Sequence, residues 1–121
     1  MKVESRIKEY PACQAIDLDE NEKDVYRGAG WKLAAFDGGK LAALHSLDSY
    51  EYRADESFNE TVERATKHNF DKLKNLEAEG FDCWLVMASC YQLCEPERLN
   101  ADDALSAAKL ARRIGEELAD G

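Results

Sequence analysis

Long apolar runs are missing from this 121-residue sequence. None approaches the roughly 20 residues that a membrane-spanning helix needs. The first residues, Met1 to Lys8, alternate charge with Val3 and Ile7 and lack the apolar stretch of a secretory signal. Together these absences lead us to expect a cytoplasmic protein with no membrane partner. Proline is scarce, at Pro11 and Pro96 only, and no repeat, linker or low-complexity segment is visible. A single domain over residues 1–121 follows. A chain of this length buries roughly two-thirds of the surface its unfolded form exposes, so it needs neither metal nor crosslink to fold.

Residues for chemistry are also few. Histidine occurs only at His45 and His68, and cysteine at Cys13, Cys83, Cys90 and Cys94. Without an export signal, free thiols are the expected state. Cys90 and Cys94 lack the second cysteine pair or the histidine spacing of a zinc site, and there is no C-x-x-C redox motif. Asp17-x-Asp19-x-Asn21 opens like a calcium loop. It then fails, with Glu22 where a glycine should turn the chain and Gly28 where a bidentate glutamate should bind. Gly28-Ala29-Gly30 has Leu33 where a dinucleotide motif needs its third glycine. No metal, cofactor or catalytic residue is therefore assigned, and an enzyme is the less expected class.

What is present is a strong pattern of elements. Val3 to Glu9 partly alternates and is stopped by Pro11, which cannot donate to a ladder, so an edge strand is expected, with a second short strand over Ala12 to Leu18. Asp19 and Glu22 fit a capping box for a short helix from Glu20 to about Arg27, with an acidic loop as the alternative. Trp31–Phe36 and Leu41–Leu47 flank Asp37-Gly38-Gly39, a hairpin signal. Ser49 to Arg53 extends the second strand or forms a third. Ser57 and Glu60 form a second capping box, and Phe58, Val62, Ala65, Asn69, Leu73 and Leu76 then line one helical face as far as Gly80. Phe81 to Leu93 is the most apolar segment and reads as a central strand over at least Cys83 to Ala88, although periodicity alone leaves a buried helix open. Cys94 to Leu99 reads as a loop around Pro96. Asn100 is the expected N-cap of a last helix whose stripe is Ala104, Ala107, Ala108, Ala111, Ile114 and Leu118. The sum is an α+β fold: a small, mostly antiparallel sheet with two main helices packed on one face, with an all-helical C-terminal half as the alternative.

Charge supplies the functional expectation. The net charge is −9. Residues 17–24 set Asp17, Asp19, Glu20, Glu22 and Asp24 against Lys23 alone, and residues 48–63 set six acids against Arg53 alone. Such a surface repels phosphate backbones, which disfavours direct nucleic-acid binding, and attracts a basic protein. Tyr50 and Tyr52 stand among Asp48, Glu51, Asp55 and Glu56, and these six residues form the expected partner-binding patch. The expected function is a non-enzymatic binding or inhibitory module, of the toxin-immunity or counter-defence type, engaging a basic partner. Two alternatives stand beside it. One is a small enzyme or small-molecule binder, with a site between sheet and helices drawing on His45, His68, Tyr50 or a cysteine. The other is a self-associating protein that forms a homodimer through the last helix or an open strand edge.

Overall fold

The computed structural model describes residues 1–48 and 53–120. Its centre is a six-stranded antiparallel sheet in the order β1-β2-β6-β5-β3-β4. The strands are β1 (Lys8–Glu9), β2 (Gln14–Asp17), β3 (Gly30–Asp37), β4 (Lys40–Ser46), β5 (Asp82–Ser89) and β6 (Gln92–Leu99). The helices are α1 (Glu20–Lys23), α2 (Phe58–Ala78) and α3 (Ala104–Asp120), preceded by a 3-10 turn at Val3–Arg6. The expected α+β architecture is thus present.

Alternation within the strands decides which side chains meet the helices. Trp31, Leu33 and Ala35 of β3, Cys83 and Leu85 of β5, and Leu99 of β6 share one core with Ala65, Leu73 and Leu76 of α2 and Leu110 and Ile114 of α3. The other parity, Ala34, Phe36, Trp84, Val86, Ala88 and Leu93, forms a second core on the opposite face. Val3, Leu18, Val25 and Tyr26 cover that face. β5 is therefore buried on both sides, which is why its sequence is a continuous apolar run rather than an alternation.

The β3–β4 turn is made by Gly38 and Gly39, both at positive φ (58° and 86°). Gly39 is needed for a second reason: a Cβ there would lie 1.8 Å from the carbonyl oxygen of Met1. The capping boxes of α1 and α2 are both formed, Asp19 with Glu22 and Ser57 with Glu60. Gly80 ends α2 at φ 95°.

Four local expectations change, the first being that α1 stops at Lys23 rather than near Arg27. The chain from Val3 is a 3-10 turn before β1, which is only two residues long. Residues 92–99 are a strand, not a loop around Pro96. The β5–β6 turn uses Cys90 and Tyr91, both left-handed (φ 49° and 60°), so no glycine or asparagine announces it. Pro96 is tolerated beside a register shift and the left-handed Glu95. Finally, α3 begins at Ala104, with the Asp103 carboxylate accepting from Leu105 N–H at 2.9 Å, while Asn100 closes a turn onto Asp102 N–H. The reading of residues 49–53 as strand falls, for 49–52, outside the described residues.

Candidate functional site

The first acid-rich stretch folds inward. Arg6 donates to both oxygens of Glu22, at 2.7 and 2.6 Å, and to the carbonyls of Gly39 and Asp17. Glu22 also accepts from the backbone N–H groups of Leu41, at 2.7 Å, and Asp19. The two side chains are only 13% and 3% exposed, so this is a buried ion pair. Burial pushes the Glu22 carboxyl up, but Arg6 and the two backbone donors outweigh it, and its pKa lies below the ordinary value. Around this pair, Asp19 meets Lys40 and Glu20 meets Lys23. Asp17 accepts from Tyr10 Oη, Gln92 Nε2 and Lys8 Nζ, which hold its pKa at about 2.

In the second stretch, Asp48 and Glu56 are met by side chains of α2. Glu56 receives Arg64 through Nε, at 2.9 Å, and Nη2, at 2.7 Å, together with the Thr61 hydroxyl. Arg64 first, and then Thr61, bring its pKa down to about 2. Asp48 meets His68 Nε2 at 2.8 Å and Lys72 Nζ at 3.0 Å. Burial works against ionisation of Asp48, yet Lys72 and His68 prevail and lower its pKa. Asn69, fully buried, fastens this segment by exchanging hydrogen bonds with the Asp48 backbone while donating to Ala65 O. His45, half-buried on β4, is shifted down by burial and then by Lys72. Of the six expected binding residues, then, Asp48 and Glu56 are engaged in ion pairs and Asp55 is exposed. Tyr50, Glu51 and Tyr52 lie outside the described residues.

A different acidic surface was missed in the sequence. Glu77, near the end of α2, accepts from Ala101 N–H at 2.9 Å and so brings that helix end to the start of α3. Glu79 lies two residues after Glu77, and Asp102 and Asp103 directly follow Ala101. Among the described residues none of the four is in an ion pair. Leu105, 64% exposed, follows Asp103 by two residues. The only sequence signal was two short acid pairs more than twenty residues apart, which no local window joins.

The helix-side edge of the sheet offers one further feature. A recess of about 290 Å³ is bounded by Ala12, Cys13, Gln14, Glu95, Pro96, Glu97 and Arg113. Arg113 stacks on the Trp31 ring at 3.8 Å and pairs with Glu116 at 2.9 Å. Cys94, on the strand next to β2, lies beside the Cys13 thiol, and burial first, then Cys13, raises its pKa. Among the described residues no group of three or more His, Cys, Asp or Glu side chains is placed to hold a metal ion, and no helix is long and apolar enough to cross a membrane.

No protein-family model, curated protein or solved structure matches this chain. The functional reading rests on its own residues.

Proposed function

We propose that this protein is a non-enzymatic binding module that engages a basic protein partner, as an inhibitor of the toxin-immunity or counter-defence kind does. The observation that carries the reading is that Glu77, which accepts from Ala101 N–H, and Glu79, Asp102 and Asp103 stand outside ion pairs among the described residues, with Leu105 exposed two residues after Asp103. Carboxylates outside ion pairs attract a cationic surface and speed encounter. The exposed Leu105 side chain, two residues from Asp103, gives the contact something to desolvate. The net charge of −9 works against nucleic acid as the direct ligand.

The test is capture of a partner from the native host at low salt. A basic protein is expected, released as salt rises. Glu79→Lys with Asp102→Lys should abolish its capture, with the fold checked by circular dichroism. Full capture by that variant, together with loss in Glu51→Lys/Asp55→Lys, would move the contact to the patch of Asp48, Tyr50, Glu51, Tyr52, Asp55 and Glu56. Salt-insensitive capture, or none, would remove the reading.

A second reading is favoured by the recess beside Arg113. Its size suits a small polar molecule, and it lies between sheet and helix. Screening polar metabolites by thermal shift tests it. A stabiliser whose effect disappears in Arg113→Gln supports a ligand-binding role, and the absence of any stabiliser argues against one.

A further inference from the structure

Two strands bring two thiols together at the recess on the sheet edge. Tyr10 N–H donates to Cys13 O at 2.8 Å and closes the hairpin between β1 and β2. Ala15 then pairs directly opposite Cys94 on β6. Side chains two residues apart on a strand share a face, so Cys13 stands diagonally across from Cys94 on the Ala15 face. The two thiols are in hydrogen-bond contact. Cys13 also lines the recess, with Pro96 and Arg113, which opens it to small molecules. The other two cysteines are placed differently. Cys83 is buried in β5, where burial pushes its thiol up to about 12. Cys90 is exposed in the β5–β6 turn, where the Ser89 hydroxyl meets its sulfur at 3.9 Å.

We propose that Cys13 and Cys94 form a thiol-oxidation site that closes to a reversible disulfide, with a low-molecular-weight disulfide as the oxidant. The Cys13 thiolate attacks one sulfur of the oxidant. The oxidant's S–S bond breaks, and its other half leaves as a thiol that carries the Cys13 proton. Cys94 then attacks the Cys13 sulfur of this mixed disulfide and displaces the second half, which leaves as a thiol with the Cys94 proton. Two electrons have passed from the protein thiols to the oxidant, with one S–S bond broken and one made. Cys13 is the entry thiol because it faces the recess. Burial first, and then Cys13, raise the Cys94 pKa, so Cys94 is the poorer first nucleophile and suits the second, intramolecular step.

Strand geometry accounts for the reversibility. Diagonal neighbours lie about 7–8 Å apart, just beyond the roughly 7 Å between Cα atoms that a disulfide spans. Closure therefore draws the start of β2 towards β6. The segment that gives is the edge hairpin, whose outer strand β1 is two residues long. A disulfide closed against such a pull is of the readily reduced kind, which makes the site a switch rather than a permanent crosslink. None of Glu77, Glu79, Asp102 and Asp103 lines the recess, so thiol oxidation and the partner-binding reading stand or fall separately.

Oxidised glutathione added to the full, reduced chain tests the proposal, with free thiols then alkylated and the products mapped by mass spectrometry. The expected product is a peptide pair joined through Cys13 and Cys94, with Cys83 still alkylated and the crosslink lost again in dithiothreitol. Its rate should not change with protein concentration, because both thiols belong to one chain. Cys13→Ser should abolish the crosslink, and Cys90→Ser should leave it unchanged. Cys94→Ser should stop the reaction at a glutathione adduct on Cys13. Circular dichroism confirms that the variants fold, and the crosslink in the unaltered chain does not depend on them. A crosslink through Cys90, one that forms only between chains, one that dithiothreitol does not reverse, or glutathione adducts that never resolve would each overturn the proposal.

Discussion

The two acid-rich stretches, residues 17–24 and 48–63, look alike in composition, and the acids they place in ion pairs, Glu22 in one and Asp48 in the other, differ in what they hold together. In the first, Glu22 is buried against Arg6, and the pair ties the 3-10 turn, the end of β2, α1 and the β3–β4 turn into one cover over the sheet. In the second, Asp48 stays 39% exposed and its cationic partners come from a single neighbouring helix. Charge density is thus a poor guide to role. Burial, and the number of segments a carboxylate joins, separates a structural acid from a surface one.

The comparison breaks most visibly at Glu22. Glu22→Gln or Arg6→Met leaves one buried charge without its partner and should cost about 3–5 kcal/mol in chemical denaturation. Replacing both with apolar residues should recover only part of that, because Leu41 N–H and Asp19 N–H lose their acceptor. A loss below about 1 kcal/mol in either single variant would place the pair among ordinary surface bridges.

The second stretch is held by an amide more than by its charges. Asn69→Ala orphans the Asp48 N–H and should cost about 1–3 kcal/mol. Acid comes next. Asp17 and Glu56, held near 2 against ordinary values of 3.8 and 4.5, stabilise the fold fully above that ordinary range, and the contribution drains away as pH falls towards 2. Asp17→Asn and Glu56→Gln should therefore flatten the acid limb of a stability–pH curve and leave its slope near neutrality unchanged. The smallest effect belongs to Lys72→Ala, about 0–1 kcal/mol and weaker still in high salt. A larger loss there would erase the distinction between the stretches.

Much of this architecture could be read from local pattern. α2 announces itself by period and capping box, α3 by period, and the β3–β4 hairpin by its paired glycines. What escaped was non-local or disguised. β6 was hidden by Pro96 and by a turn built from Cys90 and Tyr91, whose left-handed backbone their side chains do not advertise. The cover formed by Val3, Leu18, Val25 and Tyr26 has no period to find. The charge count left out part of the balance: it set each stretch against its own lysines and arginines. The neutralising groups are Arg6, Lys8 and Lys40 for one stretch and Arg64, His68 and Lys72 for the other. Only folding places them alongside. The acids outside ion pairs were invisible for the same reason in reverse, since their two modest pairs are linked only when Glu77 reaches Ala101.

Side-chain carboxyl titration by NMR tests most directly whether the two stretches are taken up inside the fold. Asp17 and Glu56 should both titrate at about 2, and Glu22 below its ordinary value. If all three instead titrate in the range of free aspartate and glutamate, the stretches are solvated surface and the internal pairing described here is wrong.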